Sequence, residues 1–314
     1  MQPQPPSTER VVFLVNPASA NGSTGRRWPD LEKRAAELGL TGRSVLSRGP
    51  GELGELAARS VAEGAGLLVV VGGDGTVHEV VDGLMKAGRA AEVELAVLPR
   101  GTGKDFVRSL RIPRSFGDAI ELARSGAARE IDVGRATYRA PDGTDAEAFF
   151  ANFGGVGISG AIADRSNRTS KALGGRLSFI WATLTVFARW RSAAMTLDVD
   201  GERRSGQMFE AVAMNGDYTA GGMWMAPEAS PDDGLLDFVT IGDVTKLDFV
   251  TTFPKIYRGT HLSHPKIDLL RGRRLSVDAD TPLPVVLDGE QPGTTPVTFE
   301  IVPKALRVRA PAPD

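Results

Sequence analysis

The chain of 314 residues contains no cysteine, and its charge is nearly balanced. The absence of cysteine excludes disulfides and thiolate metal sites, and it fits a reducing compartment. Lysine and arginine number 37 against 39 acidic residues, for a net charge of −2. This balance gives no global reason to expect a nucleic-acid partner, and none is predicted.

Long hydrophobic runs are also absent. The longest apolar-rich stretch, residues 177–190, is interrupted by Arg189 and is shorter than the roughly 20 residues that a membrane-spanning helix needs. Residues 1–9 contain no apolar stretch, so we expect a disordered tail there and not a signal peptide. The sequence therefore predicts a soluble protein.

The most informative feature is a glycine loop that follows a buried strand. The apolar run at residues 67–71 is typical of a parallel strand with both faces covered. The loop that follows contains three glycines, which let the backbone turn sharply and approach a ligand. After it, apolar residues recur at helical spacing. Because a helix N-terminus favours an anion, this junction predicts a phosphate site. The loop residues are Gly72, Gly73, Asp74, Gly75 and Thr76.

The periodicity of the chain predicts two domains. Strand and helix signals alternate over residues 10–133, including a helix from about Trp28 to Leu38, which favours a doubly wound α/β domain with a mostly parallel sheet. Many short β segments follow over residues 134–301, and they predict an antiparallel, β-rich sandwich. The last strand-like piece, residues 306–309, could return to either domain, and one expectation is that residues 302–314 complete the first.

Two further loops follow predicted strands of the first domain. One begins with Asn16 and contains Ser19, and the other is Gly101-Thr102-Gly103. Each one alone is an ordinary turn, but the carboxyl ends of parallel strands meet at one edge of a sheet, where a nucleotide binds. The chain has neither a G-x-G-x-x-G fingerprint nor a Walker A motif. Asp74 is an awkward neighbour for phosphate unless it is a plain turn residue or a cation such as Mg²⁺ intervenes.

Two acidic segments in the second domain have both a chemical and a structural interpretation. Asp232-Asp233-Gly234 suits a metal loop, and it is equally typical of a solvated turn. Asp288-Gly289-Glu290 places a glutamate where it can take a proton from an attacking hydroxyl, and it is also the pattern of a hairpin turn. The residues alone favour the structural interpretations.

Taken together, seven segments in order resemble the diacylglycerol kinase catalytic family, which includes bacterial lipid kinases and sphingosine kinases. The resemblance spans about residues 11–310. The segments are Asn16-Pro17-Ala18-Ser19, Gly72-Gly73-Asp74-Gly75-Thr76, Pro99-Arg100-Gly101-Thr102-Gly103-Lys104-Asp105-Phe106, Asn152-Phe153-Gly154-Gly155-Val156-Gly157, Gly221-Gly222-Met223 with Ala226-Pro227, Asp232-Asp233-Gly234 and Asp288-Gly289-Glu290.

The resemblance implies an ATP- and Mg²⁺-dependent kinase that phosphorylates a lipid hydroxyl. It implies a general base at Glu290 supported by Asp288, and a carboxylate network of Asp74, Asp105 and Asp233. The implied Mg²⁺ ligands are Ser230, Asp233 and the carbonyl of Leu235. The implied ATP contacts are Asn16, Pro17, Ala18, Ser19, Ala20, Ser47, Gly72, Gly73, Asp74, Gly75, Thr76 and Thr102.

The resemblance also implies a cytoplasmic protein that contacts the inner membrane face transiently to reach a lipid substrate. Residues 177–190 and the arginines at 271, 273 and 274 are candidates for this contact. A core helix and a solvated turn are the favoured interpretations of these two segments. The oligomeric state is not indicated by the sequence, and a homodimer stays open.

Two positions depart from the family pattern. Lys104 and His78 stand where asparagine is common, and for His78 a place on the helix surface is expected. Two other functions stay open: a kinase of a soluble substrate such as NAD, and a non-catalytic lipid- or nucleotide-binding regulator in which Lys104 marks lost activity. The presence of Asp74, Asp105, Asp233 and Glu290 argues against the regulator.

Overall fold

The computed structural model describes residues 10–101, 103–168, 183 and 185–313. The predicted tail at residues 1–9 and most of the apolar stretch 177–190 lie outside this part. The chain divides into two units. One unit comprises the chain up to Val133 and the segment from Pro303 onward, and the other is Gly134–Val302.

The first unit is built on a parallel sheet with the strand order β2-β1-β3-β4, beside which the end of β16 pairs in the same direction. Its strands and helices are β1 (Val11–Val15), α1 (Ser23–Glu37), β2 (Arg43–Leu46), α2 (Glu52–Ala62), β3 (Leu67–Gly72), α3 (Asp74–Lys86), β4 (Glu94–Pro99), α4 (Asp105–Ser109) and α5 (Phe116–Ser125).

Both faces of this sheet are covered, as continuous apolar strands require. On one face, Phe13 and Val69 pack against Trp28 of α1 and Ile120 of α5. On the other face Leu14 and Leu68 are fully buried, and α2 and α3 contact the strands β1 and β3 respectively. This is the parallel α/β arrangement that the sequence predicts.

Helices α2 and α3 approach each other closely because a glycine from each stands at the contact. A Cβ atom added to Gly83 would lie 2.6 Å from the carbonyl carbon of Gly54. A Cβ atom on Gly54 would lie 2.8 Å from the backbone oxygen of Glu79. Neither position therefore has room for a side chain while the two helices keep their separation.

The second unit consists of antiparallel strands. They are β5 (Ala128–Arg139), which begins in the first unit, β6 (Asp145–Phe150), β7 (Phe153–Gly157), β8 (Ala193–Val199), β9 (Glu202–Met214), β10 (Tyr218–Thr219), β11 (Met223–Trp224), β12 (Leu236–Gly242), β13 (Ile267–Gly272), β14 (Arg274–Ala279), β15 (Pro284–Leu287) and β16 (Glu290–Arg309). The described part of this unit also contains the helices α6 (Ile158–Arg168) and α7 (Lys246–Ile256).

The long strands β9 and β16 connect the two layers of a sandwich. The first half of β9 pairs with β8, and its second half pairs with β7 and β12. Strand β16 pairs with β15 and then with β14. Buried side chains such as Phe150, Phe238 and Phe299 fill the core between the layers, and the rings of Phe150 and Phe299 meet edge to face at 5.9 Å.

A second apolar cluster lies on the outer face of β9 and β12. Val212 and Val239 point into it, and Phe249 and Ile256 of α7 pack against them. Phe187 and Trp190 also join this cluster. The described end of the stretch 177–190 therefore packs on the sandwich, as the core-helix interpretation expects. No helix in the described residues is long and apolar enough to cross a membrane.

A buried glutamate holds the start of α6. Glu210 of β9 is 3% exposed, and its carboxylate accepts hydrogen bonds from the backbone N–H (2.8 Å) and the hydroxyl of Ser159. The first turn of a helix carries unpaired N–H groups, and the carboxylate satisfies one of them. Burial raises the pKa of Glu210 to about 8, although the hydrogen bonds from Ser159 oppose the shift.

We predict that Gly83→Ala destabilises the protein. Alanine favours a helix over glycine by about 1 kcal/mol, but the new methyl group must push α2 and α3 apart, and overpacking of this kind costs about 1–3 kcal/mol. Urea denaturation should therefore show a lower unfolding midpoint. The control is Gly117→Ala in α5, where an added Cβ meets nothing within 4 Å, and its midpoint should stay equal or rise. An unchanged midpoint for Gly83→Ala would contradict the close helix contact.

We also predict that stability falls as the pH rises from 6.5 to 8.5 because of Glu210. Its folded pKa of about 8 exceeds the unfolded value of about 4.3. The folded state therefore binds an extra proton between these values, and the stabilisation is lost as the pH rises through 8. Asp237, whose pKa is raised to about 6, contributes mainly below this window.

The variant Glu210→Gln carries no titrating group and should flatten this part of the profile, as measured by urea denaturation at closely spaced pH values. The control Glu147→Gln removes an exposed carboxylate and should keep the slope. An equal slope in the wild type and Glu210→Gln would be evidence against a proton on Glu210.

Candidate functional site

The parallel strands of the first unit end in register at one edge of the sheet. Val15 is paired with Leu46 on one side and with Val71 on the other, and Gly72 is paired with Pro99. The residues that follow these strand ends therefore leave the sheet together. They are Ser47, Asn16, Gly73 and Arg100.

Asn16 joins the loop after β1 to helix α3. Its Nδ2 donates to the Thr76 hydroxyl at 3.0 Å, and its Oδ1 accepts the N–H of Ala18 at 3.0 Å. The Ser19 hydroxyl donates to the Asn16 carbonyl (2.9 Å) and also to the Thr24 hydroxyl (2.7 Å). Two of the three predicted loops are thereby tied to each other by side-chain hydrogen bonds.

The loop after β1 runs through left-handed backbone before α1 begins. Ala20 and Asn21 have φ values of 51° and 56°, and Gly22 has 76°. Pro17 packs against Gly25, where an added Cβ would lie 2.7 Å from the proline Cβ. On the neighbouring strand, the buried Ser47 donates its N–H to the Val15 carbonyl at 3.0 Å. The predicted contacts Asn16 to Ala20 and Ser47 thus lie at the same sheet edge.

The glycine loop after β3 touches the loop after β4 through bare backbone. A Cβ on Gly101 would lie 2.7 Å from the Cα of Gly73, and a Cβ on Gly72 would collide with Thr76. Arg100 donates its N–H to the Gly72 carbonyl at 2.6 Å. Gly75 differs, because a Cβ there would meet nothing within 4 Å. The third predicted loop therefore joins the first two, although Thr102 lies outside the described residues.

The Asp74 carboxylate caps α4. It accepts the backbone N–H of Asp105 and of Phe106, both at 3.2 Å. From the sequence, the partner of the Asp74 charge was expected to be either its own turn or a cation. In the structure, the backbone N–H groups of α4 bind this charge. Asp105 is 5% exposed and accepts from Arg108 Nη1 at 2.6 Å. Asp74 and Asp105 are adjacent, and the link from them to Asp233 stays a prediction.

His78 and Lys104 are the two departures from the family pattern, and each follows one of the two glycine loops. His78 is only 9% exposed, so the expected place on the helix surface is wrong, because α3 is packed against both β3 and α2. Lys104 immediately precedes α4.

Arg100 is a residue that sequence reasoning missed. Its Nη2 lies 3.4 Å from the Ser23 hydroxyl at the start of α1. Burial lowers the pKa of its guanidinium, and the charge of Arg27 lowers it further. A basic residue between a strand end and a glycine turn is the signal that points to it, since a cation there meets whatever anion the edge binds.

In the second unit, Asp288 and Gly289 form the two-residue turn between β15 and β16. Their φ values are 48° and 99°, as a type I′ hairpin turn requires. The Asp288 carboxylate accepts the backbone N–H groups of Ala151 (2.8 Å), Asn152 (3.0 Å) and Phe153 (2.8 Å). Asp288 therefore anchors the turn, and its role is to position the residues that follow it.

Glu290 follows this turn at the start of β16. Its side chain is exposed, and no described residue donates a hydrogen bond to its carboxylate or pairs with it. The same tripeptide occurs at Asp200-Gly201-Glu202. There Asp200 accepts the N–H groups of Arg273 and Arg274, at the junction of β13 and β14, and Glu202 pairs with Arg204 at 2.8 Å. In the Asp200-Gly201-Glu202 turn the glutamate is engaged by an arginine, whereas Glu290 has no such partner among the described residues.

The predicted metal ligands Ser230, Asp233 and Leu235 lie on one loop before β12. Asp233 Oδ1 accepts the N–H of Leu235 at 3.0 Å, and Asp233 Oδ2 pairs with Arg271. The Ser230 hydroxyl donates to Asp232 at 2.7 Å. No group of three or more His, Asp or Glu residues in the described chain is arranged to hold a metal ion. The predicted ligand set is not a cluster of this type, because it combines one carboxylate with a hydroxyl and a backbone carbonyl.

Asp237, on β12 directly after this loop, adds a second carboxylate beside Arg271. It is 1% exposed, and Arg271 Nε lies 3.2 Å from its Oδ1, an ion-pair distance without the direction of a hydrogen bond. Burial raises the pKa of Asp237 to about 6, Arg271 opposes the shift, and Asp233 and Glu228 add to it. Oxygen donors and a buried, incompletely bonded carboxylate suit a hard cation, so the donor chemistry fits Mg²⁺.

Two family models match the chain in order. The model of the diacylglycerol kinase catalytic domain matches residues 10–136, and the model of the YegS C-terminal NAD kinase beta sandwich-like domain matches residues 154–310. A protein of Staphylococcus saprophyticus named diacylglycerol kinase is 24% identical over 305 residues, and the match covers 96% of each chain.

Two solved structures share the fold. One is a Bacillus anthracis protein classed provisionally as a diacylglycerol kinase, with a TM-score of 0.74, 22% identity and coverage of 96% of this chain and 97% of that one. The other is yeast NADH kinase in complex with NADH, with a TM-score of 0.53, 10% identity and coverage of 96% and 83%. Both predicted domain types are thereby confirmed, and the chain belongs to the diacylglycerol kinase catalytic family, a family of kinases.

Proposed function

We propose that this protein is an ATP- and Mg²⁺-dependent lipid kinase that transfers the γ-phosphate to a hydroxyl of diacylglycerol or a related lipid. The observation that carries the proposal is the Glu290 carboxylate. It is exposed and has no partner among the described residues, on a turn that three backbone N–H groups hold through Asp288. The name of the relative from S. saprophyticus supports the choice of acceptor.

ATP binds, in this proposal, at the edge of the parallel sheet in the first unit. The close contact between the backbones of Gly73 and Gly101 holds the loops after β3 and β4 together. In this proposal the phosphates meet the main-chain N–H groups at the start of α3, since a helix N-terminus stabilises anions. Asn16 and Thr76 hold two of the loops together, and Arg100 supplies a positive charge nearby. The remaining predicted contacts at Pro17, Ala18, Ser19, Ala20 and Ser47 line the same edge.

The proposed reaction is an in-line displacement at the γ-phosphorus. The hydroxyl of the lipid gives its proton to the Glu290 carboxylate, its oxygen forms a bond to phosphorus, and the bond to the leaving ADP breaks. Ser230, Asp233 and the carbonyl of Leu235 would hold Mg²⁺, whose chemistry is the neutralisation of negative charge. Asp288 keeps the glutamate in place without touching the reacting atoms.

The proposed setting is the cytoplasm, with transient contact at the inner membrane face where the acceptor lies. A soluble acceptor is the second candidate, because the sandwich fold is shared with yeast NADH kinase. The acceptor assay therefore includes NAD beside the lipids.

We predict that Glu290→Gln lowers kcat for lipid phosphorylation by about 10²–10⁴-fold, the usual contribution of a general base. The KM for ATP should stay near the wild-type value, because Glu290 is not among the predicted ATP contacts. The measurement follows radiolabelled phosphate into diacylglycerol, phosphatidylglycerol and a sphingoid base. The matched control is Glu202→Gln in the other Asp-Gly-Glu turn, which should keep full activity.

Three results would count against the proposal. A phosphorylated NAD product with no labelled lipid would make the protein a kinase of a soluble substrate. Bound ATP or lipid with no transfer to any acceptor would make it a regulator. Equal activity of Glu290→Gln and the wild type would exclude Glu290 as the general base, while the proposed reaction, phosphoryl transfer to a lipid, would stand.

We predict that Thr76→Val weakens the binding of a non-hydrolysable ATP analogue about tenfold. The substitution keeps the shape of the buried Thr76 side chain but leaves the Nδ2 of the half-buried Asn16 without its acceptor. The loss of this bond between the two loops costs about 1–3 kcal/mol. Titration calorimetry measures the affinity. The control is Thr137→Val, exposed on β5, and an unchanged affinity of Thr76→Val would contradict the joined-loop site.

A further inference from the structure

Helix α7 has an inner face that is fully used by the sandwich. Phe249 stacks on Phe187 with ring centroids 4.3 Å apart and tilts against Phe209 at 5.4 Å. Thr252 and Ile256 are buried on the same side. The helix begins with a capping box, in which Thr245 and Asp248 each bond the backbone N–H of the other. Its orientation on the sandwich is therefore held from both its start and its inner face.

The outer face of α7 is apolar and open. Only four large hydrophobic side chains of the described chain are exposed, and three of them lie here: Leu247 (72%), Val250 (58%) and Tyr257 (48%). Pro254, also exposed, lies between them. At 100° per residue these four positions fall within about 80° of arc. They form one stripe, here called the α7 stripe.

Cations flank the α7 stripe on both sides. Lys246, Lys255 and Arg258 are exposed along it, and Arg191 is close enough to Lys246 to lower the pKa of that lysine, after the larger effect of burial. Two acids are nearby, Asp243 and Asp248. Asp248 lies 3.8 Å from Lys266 and 4.0 Å from His264, so its charge is already balanced. The border of the stripe is positive.

We infer that the α7 stripe is a docking surface for an anionic phospholipid bilayer. An apolar stripe bordered by lysine and arginine is the pattern of a helix that lies in the membrane interface, where apolar side chains enter the acyl boundary and cations meet phosphate headgroups. A second copy of the chain fits less well, because a two-fold contact through this face would bring like charges together. The inference rests on the membrane contact of the proposed function and names the surface that makes it. Because vesicle binding is measured without nucleotide, its failure is distinguishable from a failure of lipid phosphorylation.

The arginines of β13 and β14 are weaker candidates for this contact. Arg271 pairs with Asp233 and lies near Asp237, and Arg274 lies 3.6 Å from Glu300. Carboxylates therefore compete with lipid phosphates for two of these three arginines. No large exposed apolar side chain accompanies them among the described residues.

The test is co-sedimentation of the full chain with vesicles in the absence of nucleotide. The vesicles contain phosphatidylcholine alone or an equimolar mixture with phosphatidylglycerol. We expect the wild type to bind the anionic vesicles, and the double variant Leu247→Ser, Val250→Ser to bind them about tenfold more weakly. The variant Lys255→Gln, Arg258→Gln should lose the preference for anionic vesicles and most of the sensitivity to salt.

The matched control is Leu46→Ser, which removes the fourth exposed hydrophobic side chain and should leave vesicle binding unchanged. Circular dichroism checks that each variant is folded, as expected for exposed positions. Absence of wild-type binding, or equal binding by the double variant, would overturn the inference. A wild-type dimer that the double variant dissociates, measured by sedimentation velocity, would assign the stripe to self-association instead.

Discussion

The contact between the backbones of Gly73 and Gly101 is the constraint on which the rest of the nucleotide edge depends. With a Cβ on Gly101 only 2.7 Å from the Cα of Gly73, no other residue fits there unless the loops separate. Separation would lengthen the 2.6 Å hydrogen bond from Arg100 to Gly72. It would also withdraw Asp74 from the start of α4. The two glycines therefore act through close approach, because neither has a positive φ.

Much of this edge could be predicted from local sequence. Apolar runs mark the parallel strands, and the loops that follow parallel strands must meet at one edge, so Asn16, Gly73 and Gly101 were expected together. Ser47 was implied at this edge only by the family resemblance. The start of α1 could not be predicted in the same way. The helix begins at Ser23 and not near Trp28, because its first turn after the left-handed Gly22 contains no large apolar residue. The apolar spacing that signals a helix begins only at Trp28.

The partners of the charged residues were the part that local sequence could not supply. Asp74 reaches N–H groups 31 and 32 residues further along the chain. Glu210 bonds Ser159, which lies 51 residues earlier. An isolated glutamate within the apolar run of β9 is a visible signal of a buried carboxylate, but the sequence does not say what it bonds. Such pairings depend on how strands are ordered, and that order is a property of the whole fold.

The two Asp-Gly-Glu turns show why a motif alone does not identify a catalytic residue. Both turns have an aspartate at φ 48° followed by a glycine at positive φ, and in both the aspartate accepts backbone N–H groups from another segment. Backbone geometry and the anchoring aspartate are therefore explained by hairpin formation in each case. The glutamates differ: Glu202 is paired with Arg204, whereas Glu290 is exposed with no partner among the described residues. An engaged carboxylate is a poor acceptor for a substrate proton, because its arginine stabilises the charged form. The family resemblance makes Glu290 the candidate base, and the absence of a partner among the described residues is compatible with that role.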